Sequence, residues 1–415
     1  MTDWNGTRDP ARLNRRRFLA LASGATVTAI LAACGGSSNP SATPAPAATA
    51  TKSAAAATTA PTAAPTTAAA SAPSAVATTA PSVASAVAPT RAASSSAAAS
   101  IAPAASVNAA ATSGNAQKVS VMLDWVPNTN HTGLYVAQER GYFTQQGLNV
   151  EILPLAEGSS VEQIVGNGKV QFGISSSEPL AKARSEGIPI VSIAPIIQHD
   201  TSGFASLKKA NITRPKDFEG KKYGSYGSPT DKALIGKLMQ TDGGDVSKVE
   251  FVEIGDSDFL TLAAKGQVDF AWVFEGWEVI DGRLRGLELN YLPLTNYTQA
   301  IPDYYTPVFI TNEEMTQKNG DIVKKFLAAT SKGYNDAIAD PKGAGDILAK
   351  ATPETNKDLI QQSQAYLAKQ YKADAPKWGD QKAAVWQAFG AFMTDEKLLA
   401  KPFDPAKAFT TAFLP

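Results

Sequence analysis

The chain has 415 residues, with 38 basic and 38 acidic side chains, two histidines and one cysteine. The balanced charge argues against a nucleic-acid-binding protein, because such proteins usually carry a basic excess. A single cysteine excludes an intrachain disulfide framework, and it excludes any zinc or iron–sulfur cluster built on cysteines of this chain. The length predicts two or three domains.

The first 33 residues have the pattern of a bacterial export signal. Residues 14–19 contain two arginines, a spacer and then Phe and Leu, which is the twin-arginine pattern. The apolar run that follows is too short to span a membrane stably and has the length of a signal-peptide core. It ends in Leu-Ala-Ala-Cys at residues 31–34, which resembles a lipobox. We therefore predict a twin-arginine lipoprotein signal peptide over 1–33 and lipidation of Cys34.

Residues 34–115 consist almost entirely of Ala, Ser, Thr and Pro, with Lys52 and Arg91 as the only charges. Such a segment cannot bury enough apolar surface to offset its ordering entropy, and its prolines interrupt any alanine helix. We predict a disordered tether. Together with an acylated Cys34, it would hold the rest of the chain near the extracytoplasmic face of the cell membrane.

From residue 118 onward, strand patterns alternate with helix patterns, which predicts an α/β fold with largely parallel sheets. In such sheets ligands bind outside the carboxyl ends of the strands. The residues just after each strand are therefore the candidates for function. The predicted strands cover 119–123, 150–154, 170–174, 188–197, 222–225, 249–254, 268–274, 289–294 and 308–311.

The loop after the first strand carries an aromatic and two amides. Trp125 is predicted to present its ring to a flat ligand; the alternative is a core tryptophan that closes the domain. Asn128 and Asn130 offer both donors and acceptors to ring nitrogens and carbonyls, and they are equally common as turn residues.

Polar residues follow two later strands as well. Ser175, Ser177 and Glu178 come after the third strand, where they either bind polar ligand edges or cap a helix. A second group lies where another helix is predicted to begin, and its free N–H groups are suited to a carbonyl or an anion. This second group contains Tyr226, Ser228 and Thr230.

Glu275 and Trp277 follow the strand at 268–274. A carboxylate at that point can accept hydrogen bonds from ring amino or N–H groups, and the alternative is a surface ion pair. Tyr304 precedes another strand and is predicted either to line a pocket or to pack internally. We include all three in the candidate ligand site.

Three stretches resemble the solute-binding proteins of ATP-driven importers, in the branch related to thiamine-pyrimidine synthases. They are LDWVPNTNHTGLYVAQERGYF (123–143), KDFEGKKYGSYGSP (216–229) and VDFAWVFEGWE (268–278). The resemblance implies a type II periplasmic-binding-protein-like fold, in which two α/β lobes are joined by two hinge crossings. The crossings would fall near Ala205-Ser206 and near Tyr305-Thr306-Pro307. Lobe 1 would then contain 116–205 and 307–415, and lobe 2 would contain 206–306.

The resemblance implies a substrate-binding lipoprotein that delivers a vitamin-type aromatic heterocycle to an ABC permease and its ATPase. Because several aromatic residues lie at the predicted cleft, riboflavin is preferred over a thiamine pyrimidine precursor of the formylaminopyrimidine or hydroxymethylpyrimidine type. No cofactor and no nucleic-acid partner is expected.

The same branch contains an enzyme that builds the pyrimidine from its own histidine, using iron and a cysteine cluster. His131 occupies the matching position, but the cysteine cluster is absent. An enzymatic function is therefore disfavoured. His131 is predicted to be a hydrogen-bonding residue of the pocket, with a place at a helix start as the alternative.

Overall fold

The computed structural model describes residues 116–415 apart from residues 157, 229 and 256. The predicted signal peptide, Cys34 and the predicted tether lie outside the described residues. Ten strands occur in the described part: β1 (Gln117–Met122), β2 (Leu148–Leu153), β3 (Phe172–Ser175), β4 (Ile190–Pro195), β5 (Ser202–Leu207), β6 (Lys222–Ser225), β7 (Glu250–Glu253), β8 (Phe270–Phe274), β9 (Leu289–Pro293) and β10 (Val308–Asn312).

The helices alternate with the strands up to β10, which ends about two thirds of the way through this part, and then follow one another without interruption. They are α1 (Thr132–Glu139), α2 (Tyr142–Gln145), α3 (Val161–Gly166), α4 (Ser177–Ser185), α5 (Asp231–Gln240), α6 (Phe259–Ala264), α7 (Ile280–Leu284), α8 (Glu313–Lys318), α9 (Gly320–Ala339), α10 (Pro341–Ala351), α11 (Lys357–Gln370) and α12 (Ala383–Asp395). Among the residues described, no helix is both long enough and apolar enough to cross a membrane.

The strands form two five-stranded sheets, which confirms the α/β class. The first sheet has the order β2-β1-β3-β10-β4, and the second has the order β7-β6-β8-β5-β9. Four strands of each sheet run in the same direction, as expected for largely parallel sheets. The exception in the first sheet is β10, which runs antiparallel to β3 and β4, and the exception in the second is β5, which runs antiparallel to β8 and β9. Each of these two strands comes directly after the chain has crossed between the sheets. It therefore enters its sheet from the opposite end.

The first crossing occurs between β4 and β5, over residues 196–201. All of β5, from Ser202 onward, pairs within the second sheet, whereas the resemblance implied a crossing near Ala205-Ser206. The chain returns to the first sheet between Tyr297 and the start of β10 at Val308.

Two hydrophobic clusters pack against each sheet, and the larger one is called its core. The first core combines strand residues such as Val121 and Phe172 with Phe326 of α9. The second core contains Phe204, Tyr223 and Phe270, and it also includes three side chains from α12, namely Phe389, Phe392 and Met393. Residues 307–415 were expected to belong wholly to the first lobe, but α12 helps to complete the core of the second sheet.

Candidate functional site

A cleft of about 180 Å³ lies where the carboxyl ends of β1 and β8 approach each other. Its lining comes from both sheets, from the chain crossings and from α11. The lining residues are Asp124, Trp125, Asn128, Thr129, Asn130, Thr201, Phe274, Gly276, Trp277, Glu278, Thr306, Pro307 and Leu367.

The first wall of the cleft, residues 124–130, is held by side chains that fold back onto it. Nε2 of His131 lies 2.8 Å from Oδ1 of Asp124, and Nδ1 accepts a hydrogen bond of 3.2 Å from the backbone N–H of Asn128. Since Nδ1 accepts, the ring proton belongs on Nε2, which donates to Asp124. His131 is fully buried, so its ring positions the carboxylate of Asp124 and does not itself line the cleft.

The backbone of this first wall is fixed by residues of the C-terminal helices. The hydroxyl of Tyr371 donates to the carbonyl of Thr129 at 2.6 Å, and the hydroxyl of Tyr334 donates to that of Asn130 at 2.7 Å. Gly133 permits the close approach of Tyr334, because a Cβ at that position would lie 2.3 Å from the tyrosine ring. The first wall is therefore preorganised.

The second wall of the cleft, residues 274–278, begins at the last residue of β8 and continues into a π-helical turn over Glu275–Val279. Such turns are rare and often occur at functional sites. The backbone N–H of Glu275 donates to the carbonyl of Thr201 at 2.9 Å. Gly276 packs against α11, where a Cβ would lie 3.1 Å from the ring of Tyr366. The ring of Phe274 remains 37% exposed.

Glu278 is the carboxylate of the second wall. Its Oε2 accepts a hydrogen bond of 2.9 Å from the backbone N–H of Phe274. Burial raises the pKa of Glu278 to about 7, and the neighbouring carboxylates of Asp281 and Asp258 act in the same direction. This group therefore titrates near neutral pH.

The cleft combines aromatic rings with negative charge. Trp125, which is 44% exposed, belongs to the first wall, and Phe274 and Trp277 belong to the second. Among the described residues that line the cleft, the charged side chains are Asp124 and Glu278, and none is basic. The arrangement suits a flat ring that carries hydrogen-bond donors and no negative charge.

Four of the predicted ligand residues line this cleft: Trp125, Asn128, Asn130 and Trp277. Asn128 also forms the turn at the end of the first wall. Its Oδ1 accepts from the N–H of Asn130 at 2.8 Å, and its Nδ2 donates to the carbonyl of Val126 at 3.0 Å. Asn128 thus makes the turn and also lines the cleft, while its role as a ligand residue stays a prediction.

The predicted ligand residues between the end of β3 and the first turn of α4 make hydrogen bonds elsewhere in the protein. The hydroxyl of Ser175 donates to Glu162 at 2.5 Å, and that of Ser177 donates to the carbonyl of Tyr305 at 2.8 Å. Glu178 forms an ion pair of 2.6 Å with Lys182. Both Glu178 and Lys182 also contact the hydroxyl of Thr230. Thr230 lies at the start of α5, so this contact joins the two lobes directly.

The other predicted ligand residues lie outside the cleft lining. Tyr226 is 43% exposed, and the hydroxyl of Ser228 accepts a hydrogen bond of 3.2 Å from the backbone of Thr230. Glu275 accepts one of 3.1 Å from the hydroxyl of Tyr366 on α11. Tyr304 is buried and stacks on Phe389 of α12, with 4.4 Å between the ring centroids.

Asp124 and Glu278 are the two carboxylates that line the cleft, and neither was among the predicted ligand residues. Asp124 directly follows a predicted strand, one residue before Trp125, so its position gave a usable signal. Glu278 comes four residues after the end of β8, and only the π-helical turn brings it back to the cleft. Within the described ranges, no group of three or more His, Cys, Asp or Glu residues is placed to hold a metal ion.

The fold is that of a two-lobed periplasmic-binding protein. It resembles the aliphatic sulphonate-binding protein of Escherichia coli with a TM-score of 0.57, at 14% identity, over 70% of this chain and 91% of that one. The family model described as NMT1/THI5 like matches residues 128–344. The chain therefore belongs to the NMT1/THI5-like family.

Two curated relatives match this chain over most of their own length. A formylaminopyrimidine-binding protein of Halalkalibacterium halodurans is 27% identical over 303 residues, which cover 71% of this chain and 90% of the relative. A 4-amino-5-hydroxymethyl-2-methylpyrimidine phosphate synthase of Legionella pneumophila is 25% identical over 301 residues, covering 72% and 92%. The family thus contains proteins named as binders and proteins named as synthases.

Proposed function

We propose that this protein is the extracytoplasmic solute-binding component of an ABC importer and that it binds a thiamine pyrimidine precursor of the formylaminopyrimidine or hydroxymethylpyrimidine type. The observation that carries the proposal is the composition of the cleft. Aromatic rings from both walls face a space that contains two carboxylates, Asp124 and Glu278, and no basic side chain.

An aminopyrimidine matches these groups. Its ring can stack on Trp125, while its amino group donates to a carboxylate on either wall. Because the two walls belong to different sheets, a ligand that contacts both favours the closed arrangement of the lobes. His131 contributes by holding the carboxylate of Asp124 in place, so less ordering is required when the ligand arrives.

The size of the cleft favours a single ring over riboflavin, the ligand that the aromatic residues of the sequence favoured. Pockets for drug-sized ligands measure roughly 300–1,000 Å³, and this cleft measures about 180 Å³. The relatives described above are named for pyrimidines. Both considerations support the pyrimidine precursor, which was the alternative in the sequence analysis.

Binding without turnover is favoured over pyrimidine synthesis. The chain has a single cysteine, at position 34 and far from the matched family segment, so it lacks the cysteine cluster that the resemblance attributes to the enzyme. Both ring nitrogens of His131 are hydrogen-bonded within the first wall, which suits a positioning role. Lipidation at Cys34, a membrane-tethered location and a permease partner complete the proposal.

Isothermal titration calorimetry on the purified protein tests the ligand. We expect saturable binding of formylaminopyrimidine or hydroxymethylpyrimidine, with the compound recovered unchanged. The phosphate ester of hydroxymethylpyrimidine should bind at least about tenfold more weakly, because a phosphate would face two carboxylates without a basic partner. Binding of riboflavin with no response to either pyrimidine would contradict the proposal.

A further inference from the structure

Three chain segments meet at His199, away from the cleft. The first is the crossing over 196–201, which contains His199 itself, and the second is the return crossing over 298–307. The third, 371–382, leads from α11 to α12, whose side chains enter the core of the second sheet. Nδ1 of His199 lies 2.5 Å from Oδ2 of Asp303 in the second segment, and Nε2 lies 2.8 Å from Oδ1 of Asp374 in the third.

Backbone hydrogen bonds connect the two crossings to each other and the first crossing to the last residue of α11. The N–H of Ile196 donates to the carbonyl of Pro307 at 2.9 Å, and the N–H of Gln198 donates to the carbonyl of Gln370 at 3.1 Å. Oδ1 of Asp303 also accepts a hydrogen bond of 2.9 Å from the N–H of Asp200. The segments that meet at His199 include both crossings between the sheets, so His199 lies at the hinge.

Only a doubly protonated imidazole can donate to both carboxylates, because a neutral ring would turn a lone pair towards one of them. The hydrogen bond to Asp303, assisted by that to Asp374, raises the pKa of His199 to about 9 from its ordinary value of 6.5. The hydrogen bond from His199 lowers the pKa of Asp374, and the charge of Lys382 in the third segment acts in the same direction. Burial raises the pKa of Asp200 to about 7, with the charge of Asp303 acting in the same direction.

We propose that His199 is a charge-dependent clamp on the hinge, which holds the three segments in one arrangement while it is protonated and releases them when it loses its proton. The clamp does not depend on which ligand the cleft binds. Because the pKa of His199 is higher in the folded protein than in the unfolded chain, its contribution is complete below about pH 6.5 and is lost as the pH rises through about 9.

Proton NMR can follow this group directly, because the chain has only two histidines, His131 and His199. Substitution H199Q identifies the resonance of His199, which we expect to titrate near pH 9. The isosteric substitution D374N removes one carboxylate from an exposed site, preserves the shape of the hinge and should lower that midpoint. A midpoint near 6.5 in the unmodified protein would overturn the proposal.

Amide hydrogen exchange then tests the clamp itself without any ligand. At pH 7 we expect H199Q to increase exchange of the Ile196 and Gln198 amides by about tenfold, the effect of losing a charge-assisted hydrogen bond. After correction for intrinsic rates, the difference should disappear near pH 10. The control K350Q breaks the exposed pair between Lys350 and Glu139 and should leave these amides unchanged. Equal exchange in H199Q and the unmodified protein at pH 7 would disprove the clamp, as would an equal increase in K350Q.

Discussion

The two walls of the cleft differ in how their groups are held. In the first wall, Asp124 is fixed by a fully buried histidine, and the backbone is fixed by the hydroxyls of Tyr334 and Tyr371. In the second wall, the ring of Phe274 is exposed, and Glu278 has one hydrogen bond to its own turn. For the proposed function we therefore expect the first wall to set the orientation of the ligand and the second wall to adapt to it.

The largest expected effect on ligand binding comes from a substitution in the first wall. Substitution W125A should weaken binding of the pyrimidine by about 1–3 kcal/mol, because an aromatic anchor that the ligand covers contributes about that much. Titration calorimetry gives the dissociation constant. The matched control is Y226A, since Tyr226 is exposed to nearly the same extent but does not line the cleft. If both substitutions weaken binding equally, the first wall has no special place in recognition.

A smaller effect on ligand binding is expected from a residue that supports the first wall without lining the cleft. Substitution H131F removes the donor to Asp124 and leaves the backbone N–H of Asn128 buried without its acceptor. It should lower the free energy of unfolding by about 1–3 kcal/mol and should also weaken binding. Chemical denaturation and calorimetry measure the two quantities. Unchanged affinity in the folded variant would show that Asp124 needs no positioning.

The smallest effect is expected in the second wall, and it depends on pH. In the unmodified protein, an amino-bearing ring should bind a few-fold more tightly as the pH rises through about 7, where Glu278 becomes a charged acceptor. Affinity measured between pH 6 and pH 8 should lose this dependence in E278Q. An identical pH profile in the two proteins would remove Glu278 from recognition.

Deprotonation of Glu278 is expected to strengthen ligand binding but to destabilise the folded protein. The pKa of Glu278 is raised by burial, so the folded protein retains this proton at pH values where the unfolded chain has released it. The contribution of Glu278 to stability is therefore complete below about pH 4.5 and is lost as the pH rises through about 7. Thermal unfolding should show E278Q gaining stability relative to the unmodified protein between pH 5 and pH 8. A constant difference over that range would contradict the assigned pKa.

Local patterns in the sequence were sufficient to predict the fold class and part of the cleft. Trp125, Asn128, Asn130 and Trp277 all follow strands, and all four line the cleft. The antiparallel direction of β5 and β10 could not be predicted, because strand direction depends on where the chain crosses between sheets and not on the residues of the strand. Strand β5 itself was not predicted.

Contacts between residues far apart in the sequence are the other reason why the predicted site and the observed site differ. Glu178 and Thr230 each follow a strand and have the chemistry of ligand residues, yet they contact each other across the lobes. They are separated by 52 positions in the chain, and nothing local to either segment indicates this contact. The Asp303–His199–Asp374 contacts at the hinge likewise join residues from three distant segments.

The position of α12 bears on how the protein folds during synthesis. Phe389, Phe392 and Met393 belong to a hydrophobic core whose strands all end by Pro293, well before α12 begins at Ala383. That core is incomplete until nearly the whole chain has left the ribosome. The second lobe therefore cannot reach its final packing ahead of the C-terminus, and the two lobes should unfold in one cooperative transition and not one after the other.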